Sequence, residues 1–202
     1  MYPGLPGPDI SDHLSREDSR ARYAPGTEFH IGHIAMVANT GTYVDVPFHR
    51  YADGDDLANV SLERLVDLDG IVFDAVGHTS IDTDVLRAHR VGGRAVLVCT
   101  GWSRHWGTDA YYAGHPHLSG SAASWLVEEG AALVGIDSLN IDSTATGERP
   151  VHSRLLAAGI PIVEHLCRLD ELPANGFRFT AAPPAIVGLG AFPVRAHALI
   201  DG

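Results

Sequence analysis

Apolar residues fall into short runs separated by polar turns, and the runs alternate between two periodicities. Ile71-Val72-Phe73-Asp74-Ala75, Arg94-Ala95-Val96-Leu97-Val98-Cys99, Ala132-Leu133-Val134-Gly135-Ile136-Asp137 and Pro161-Ile162-Val163-Glu164 are short and largely apolar, which predicts strands buried on both faces. Between them, Asp82-Thr83-Asp84-Val85-Leu86 opens with capping residues. Ser119 to Glu129 carries Ala122, Ala123, Leu126 and Val127 at helical spacing, with Gly130 placed to stop it, and His152 to Ala158 reads as a further short helix. Leu57, Val60, Leu62, Leu65 and Val66 also have helical spacing. Phe29 to Val37 fits a strand imperfectly and is interrupted by the turn-forming Asn39-Thr40-Gly41-Thr42. Phe177 to Ala181, Ala185 to Val187 and Val194 to Leu199 read as closing strands. Such alternation predicts an α/β protein with a mixed sheet and antiparallel pairing near its end.

Residues 1 to 28 are rich in Pro, Gly and charge and predict an extended N-terminal arm, with at most a short helix near Ser11 to Arg22. Residues 29 to 202 then form a single domain. The chain has 202 residues, 45% hydrophobic, with 14 basic against 25 acidic side chains and a net charge of -11. That field repels phosphate backbones and anionic membranes, so neither nucleic acid nor a membrane is an expected partner. No stretch approaches the roughly 18 uninterrupted apolar residues of a membrane span. The first residues lack a basic start followed by an apolar run. With only two cysteines, Cys99 and Cys167, a disulfide framework is not expected either, and a cytoplasmic location follows.

Twelve histidines are many for this length, and histidine is both a metal ligand and a proton carrier near neutral pH. In Asn39-Thr40-Gly41-Thr42-Tyr43-Val44-Asp45-Val46-Pro47-Phe48-His49, extended alternation directs Tyr43, Asp45 and His49 toward one side. The same pattern also fits a polar strand edge with a hydrogen-bonded Asp. His152 follows Pro150, and Glu164 closes an apolar strand, the usual place for a ligand in open α/β sheets. His152 alone equally fits a helix-capping or solvent-facing residue. Together, Asp45, His49, His152 and Glu164 offer two carboxylates and two imidazoles, a donor set that suits Zn(II) or Mn(II). Trp102, His105 and Trp106, with Tyr111 and Tyr112, suit either loop packing or an aromatic substrate pocket.

The stretch from Asn39 resembles the motif His-x-Gly-Thr-His-x-Asp-x-Pro-x-His of the cyclase superfamily, which includes bacterial kynurenine formamidase and isatin hydrolase. Gly41, Thr42, Asp45, Pro47 and His49 match it. Thr100-Gly101-Trp102-Ser103, His115-Pro116-His117-Leu118-Ser119, Leu133 to Ser138, and His152 through Glu164 also resemble that family. The likeness runs from about Tyr2 to Ile200. It implies a swivelling β/β/α fold and a homodimer or homotetramer whose subunits contribute arms to each other's pockets. It further implies a metal-dependent hydrolase acting on an amide, formamide or lactam carbonyl of a small molecule. In members resembling kynurenine formamidase it implies two metals: one on the second and third motif histidines with the Asp, the other on that Asp with the later His and Glu.

Asp45, His49, His152 and Glu164 carry over to this chain, but Asn39 and Tyr43 stand where the first two motif histidines would be. A phenol binds zinc only if its proton is displaced, so one divalent metal, Zn or Mn, is expected. Asn39 then becomes a candidate for substrate binding along with Trp102, His105 and Trp106. His49, Tyr43 and Asp53 are the catalytic candidates. Asp53 stands where related enzymes place a catalytic histidine, four residues past the last motif histidine, although it also fits a turn before Gly54. The family's leading strand has no counterpart ahead of Tyr2-Pro3-Gly4, which points to a truncated or misassigned start. A metal-independent cyclase or dehydratase using Tyr43, Asp45 and His49 as acid and base, or a non-catalytic binder, is the alternative.

Overall fold

The structure is a computed structural model that describes residues 7–200, leaving the Tyr2-Pro3-Gly4 segment outside the described residues. The chain opens with β1 (Asp9–Leu14), α1 (Arg16–Arg20) and β2 (Ile31–Ala35). The predicted arm therefore contains a strand, and β1 pairs antiparallel with β2 in a ribbon separate from the main sheet, which joins the arm to the start of the following segment. Then come β3 (Tyr43–Asp45), β4 (Leu68–Asp74), β5 (Ser80–Ile81), α2 (Thr83–Leu86), β6 (Ala95–Cys99), β7 (His117–Leu118) and α3 (Gly120–Glu128). β8 (Leu133–Ile136), α4 (Pro150–Ala157), β9 (Ile162–Glu164), β10 (Asn175–Thr180), β11 (Ala191–Pro193) and β12 (His197–Ile200) complete the order.

Eight strands form one mixed sheet in the order β11-β3-β9-β8-β6-β4-β10-β12. The central four, β9, β8, β6 and β4, are parallel, and antiparallel strands flank them on both sides. The expected α/β class with a mixed sheet is what the chain forms. Alternation along the central strands buries both faces. Val96, Val98, Val134, Ile136 and Ile162 meet Leu126 of α3 and Val151 and Leu155 of α4 on one side, while Ala95, Leu97, Cys99, Leu133 and Val163 join Val44, Phe177 and Phe179 on the other.

The two outermost strands, β11 and β12, are separated in sequence by only Val194, Arg195 and Ala196. That link reaches about 14 Å at full extension. Eight flat strands would hold their edges about 34 Å apart. The sheet must curl, and the second core gathers residues from strands at both ends of the order.

Two predicted elements are absent, and the Val194 to Leu199 strand is shifted. Leu57 to Val66 does not form a helix beyond a single turn at Leu62–Arg64. The Asp56 carboxylate accepts from the Ala58 and Asn59 backbones and from the Asn59 amide, an alternative to helical bonding. Leu57 and Leu65 are each buried in the second core from this irregular segment, which produced the helix-like spacing. Ala185 to Val187 is not a strand, because Pro183 and Pro184 ahead of it have no N–H for a ladder and Val187 points to solvent. Val194 to Ala196 forms the link between edges, and only His197–Ile200 pairs, with β10.

Gly70 on β4 lies under the Phe177 ring, where an added methyl would overlap the ring. Gly70→Ala is expected to cost about 1–3 kcal/mol by overpacking. Urea unfolding would measure it, and the loss should be less than additive with Phe177→Leu.

Candidate active site

The antiparallel register of β3 on β9 sets Tyr43 directly across from Glu164 and Asp45 across from Ile162. Val44 and Val163 point into the second core, so Tyr43, Asp45 and Glu164 share the face that α4 covers. All three are buried. The Tyr43 hydroxyl donates to Glu164 Oε2, and the Ile141 N–H donates to Glu164 Oε1 at 2.7 Å.

His49 reaches the same place by a different route. Pro47 ends the strand and starts a single 3-10 turn over Pro47–His49, in which the His49 N–H returns to the Val46 carbonyl. This turn brings His49 Nδ1 to 3.5 Å from Asp45 Oδ1. The loop before β11 clamps the turn from outside: Gly190 lies against the His49 backbone where a methyl would overlap it, and its carbonyl accepts from the Val46 N–H at 2.8 Å.

His152 comes from the first turn of α4. That helix begins at Pro150, and Arg149 before it provides no side-chain cap. Asp142 supplies the cap from a distant loop: its Oδ1 accepts from the Val151 N–H at 2.8 Å, and its Oδ2 accepts from the His152 N–H at 2.9 Å. The same Oδ2 lies 2.7 Å from His152 Nδ1 and orients the ring. His152 Nε2 then faces Asp45 Oδ2 at 3.6 Å and Glu164 Oε1 at 3.5 Å. Asp142 was not among the candidates from sequence. Its signal there was indirect, a proline-initiated helix with no Ser, Thr, Asp or Asn at the capping position.

Asp45, His49 and His152 each offer a ligand atom within 4.8 Å of the others. Glu164, expected as a fourth ligand, lies beside them with both oxygens engaged. Asn39 sits behind the carboxylate, its Nδ2 donating to Asp45 Oδ1 at 3.2 Å. Asp45 Oδ2 is buried with no hydrogen-bond donor among the described residues. Such an oxygen is costly unless a cation compensates it.

The charge balance shows in the proton affinities. Burial pulls the His152 imidazolium down, but the carboxylates of Asp142, Asp45 and Glu164 outweigh it and push the pKa up to about 10. Burial also raises Glu164, to about 7. The cluster holds more negative charge than its protein neighbours balance. His165, next in sequence, is in left-handed backbone (φ 57°) and buried beside Tyr111, whose hydroxyl lies 3.2 Å from Nδ1. Burial lowers its pKa to about 3 and keeps the ring neutral.

A cavity of about 500 Å³ opens on His49 and His152, bordered also by Arg50, Asn140, Arg149 and Ser153. Asp53 does not join it. That side chain is exposed in a turn closed by the Gly54 N–H on the Tyr51 carbonyl, and it borders a different hollow with Leu156 and Gly159. The burial needed to tune an aspartate as a base is missing. Trp102, His105 and Trp106 are not on the cavity wall either. Trp102 spends its indole N–H on the Tyr111 carbonyl at 3.0 Å and packs on His105, while Trp106 borders a separate hollow with Thr42, His165 and Cys167.

Residues 8–143 match the family model named Cyclase. The chain belongs to the Cyclase family. Kynurenine formamidase of Bacillus cereus is 28% identical over 172 residues, covering 82% of this chain and 78% of that protein. A structure described as a predicted metal-dependent hydrolase from Bacillus stearothermophilus superposes with a TM-score of 0.72 at 28% identity, covering 97% of this chain and 92% of the other. Isatin hydrolase A of Ralstonia solanacearum shares the fold at a TM-score of 0.80 and 24% identity, covering 98% and 83%.

Asp142→Ala is expected to lower stability by about 2 kcal/mol, through loss of a helix cap and of a charged hydrogen bond. In chelator-treated protein, the His152 ring should titrate at lower pH in this variant, as followed by NMR. The sign for stability follows from the same raised pKa, because the folded state holds the His152 proton more tightly than the unfolded chain. Stabilisation is complete below the ordinary value of 6.5 and is lost as pH rises toward 10. Urea midpoints of chelator-treated protein should decline across that window, and His152→Gln should flatten the decline.

Proposed function

We propose that this chain is a metal-dependent hydrolase of amide, formamide or lactam carbonyls in small molecules, with one divalent cation, Zn(II) or Mn(II), held by Asp45, His49 and His152. The observation that carries the reading is the buried Asp45 carboxylate, whose Oδ2 lacks a donor and faces His152 while its Oδ1 faces His49, with a ligand atom of each of the three residues within 4.8 Å of the others. The likeness to kynurenine formamidase and to a metal-dependent hydrolase supports the reaction class. When bound, the cation supplies Lewis acidity that polarises a substrate carbonyl oxygen.

The chain's own residues do the rest. Asp142 fixes the His152 tautomer so that Nε2 faces the cluster. Asn39 orients Asp45 from behind. Tyr43 and Glu164 share a proton at the inner end of the site, and this pair carries the proton from the attacking water toward the leaving amine nitrogen. With its hydroxyl on Glu164, Tyr43 occupies the face where a further imidazole would be needed for a second cation.

A second reading, a metal-independent cyclase or dehydratase, is favoured by that same Tyr43–Glu164 pair, which can exchange a proton without a metal. We also propose a homodimer or homotetramer, because the β1–β2 ribbon leaves Ile10, Ile31 and Ile34 exposed. A cytoplasmic location accords with the two free cysteines, Cys99 and Cys167. No helix among the described residues is long and apolar enough to cross a membrane.

Elemental analysis of protein purified without added metal should give about one Zn or Mn per chain, and Asp45→Asn should abolish it. Hydrolysis of formanilide should be lost on chelation and return with the metal. Activity that survives complete metal removal would favour the second reading. Tyr43→Phe should keep the metal while lowering kcat by about 10²-fold or more.

A further inference from the structure

His49 differs from the rest of the cluster in how it is held. Glu164 is fixed at both oxygens and the His152 ring is oriented by Asp142. The His49 ring forms no hydrogen bond among the described residues and only lies 3.5 Å from Asp45 Oδ1. Its place must therefore come from its backbone. That backbone is a single 3-10 turn, Pro47–His49, and one isolated turn has little stability of its own. Two loops from distant parts of the chain grip it. On one side the Asp55 carbonyl accepts the Phe48 N–H at 3.0 Å, and on the other Gly190 lies against the His49 backbone and accepts the Val46 N–H. The two loops are joined to each other by the Leu57 N–H on the Leu189 carbonyl at 3.0 Å and by the Gly188 N–H on Asp56 Oδ2 at 2.7 Å.

Asp56 is buried, and its two oxygens have separate tasks. Oδ1 accepts from the Ala58 and Asn59 backbones and the Asn59 amide, which organises the local turn. An asparagine or a serine would serve that turn as well. What the local turn does not explain is the second oxygen and the charge, which strengthens the bond to Gly188, 132 residues away. The same N–H holds the Asp56 carboxyl below the usual carboxylate range. Ile186 and Leu189 pack on the second core and bring the 183–190 loop to this side of the molecule. Val187 between them points to solvent, and Pro183 and Pro184 have no N–H to give. The bonds to Asp56 and Leu57 are left to set how the loop meets the His49 turn.

We propose that Asp56 is a positioning residue for His49. By holding Gly188 it seats Gly190 on the Pro47–His49 turn, and so keeps the imidazole within the 4.8 Å cluster that it forms with Asp45 and His152. Asp56 touches neither the cluster nor its cavity and acts only through the backbone that carries His49. The effect on a bound cation rests on the hydrolase reading above, whereas the mechanical link from Asp56 to the turn does not.

Asp56→Asn keeps an acceptor for the local turn but sets an NH₂ group where Gly188 needs an oxygen. Asp56→Ser also keeps a local acceptor, on a side chain too short to reach Gly188, and guards against a folding defect peculiar to the amide. Both should weaken Zn(II) binding by about tenfold or more in chelator competition, whereas Asn59→Ala, which removes only a local donor, should leave it unchanged. A double-mutant cycle with His49→Ala separates positioning from general stability: once His49 is gone, Asp56→Asn should have almost no further effect on Zn(II) affinity. An additive loss, an unchanged affinity, or failure of both Asp56 variants to fold would overturn the proposal. Hydrogen exchange of chelator-treated protein reads the link without metal. The Val46 and Phe48 amides should exchange about tenfold faster or more in Asp56→Asn, with the Ile141 and Val151 amides unchanged. Unaltered exchange at Val46 and Phe48 would equally sink the role assigned to Asp56. If the wild-type protein binds no Zn(II) or Mn(II), the hydrolase reading fails, and the exchange rates alone decide whether Asp56 holds the turn.

Discussion

The register between β3 and β9 is the constraint on which the site depends. Tyr43 lies opposite Glu164 because Val44 and Val163 both belong to the second core. A slip of one residue would send Tyr43 and Asp45 into an apolar interior and turn Val44 toward the histidines. The hydrophobic effect acting on Val44, Val46 and Val163 therefore positions the polar residues between them. Burying two carboxylates there is unfavourable by itself, and the packing of the central sheet sustains it. The curl of the sheet strengthens the constraint, since β11 pins the other side of β3 with Ala191 against Asp45.

Around that register, three groups from distant parts of the chain converge because each is fixed locally. A proline-started turn delivers His49, a borrowed cap delivers His152, and a backbone N–H from Ile141 steadies Glu164. The resulting electrostatics favour a cation. His152 retains a proton well above its ordinary range because the carboxylates of Asp142, Asp45 and Glu164 surround it, and Glu164 resists ionisation chiefly because it is buried, with the Asp45 charge adding to the effect. On the proposed reading a divalent ion and a proton would compete for the same deficit, which would couple occupancy of the site to pH.

The central strands and helices were legible in the sequence because burial on two faces writes continuous apolar runs, and because Ser119 and Gly130 mark the ends of α3. Asp45, His49, His152 and Glu164 were legible as a group through the motif, and three of them meet as donors. Failures occurred where side chains compete with the backbone or where partners are far apart. Asp56 diverts its neighbours from a helix, and Pro183-Pro184 breaks a strand-like composition. Asp142 is ten residues from His152, and no local periodicity reveals that it caps α4. The Trp102–Trp106 segment suited either role because aromatics pack in loops and line pockets alike; the Trp102 indole N–H is spent on the Tyr111 carbonyl, and Trp106 borders a hollow apart from the His49–His152 cavity. Asp53 had the sequence position of a base but lies on a solvent-facing turn.

The three-residue link from β11 to β12 has a bearing on biogenesis. Both rims of the sheet come from the last strands of the described chain, and β11 covers the strand that carries Asp45. During translation the inner strands emerge first, with β3 and β10 each open along one side until Ala191 to Ile200 has left the ribosome. Unpaired strand edges recruit other chains. A nascent or prematurely terminated product lacking Ala191 to Ile200 is therefore exposed to edge-to-edge association at two places at once, and the site acquires its final shape only after that stretch has been made.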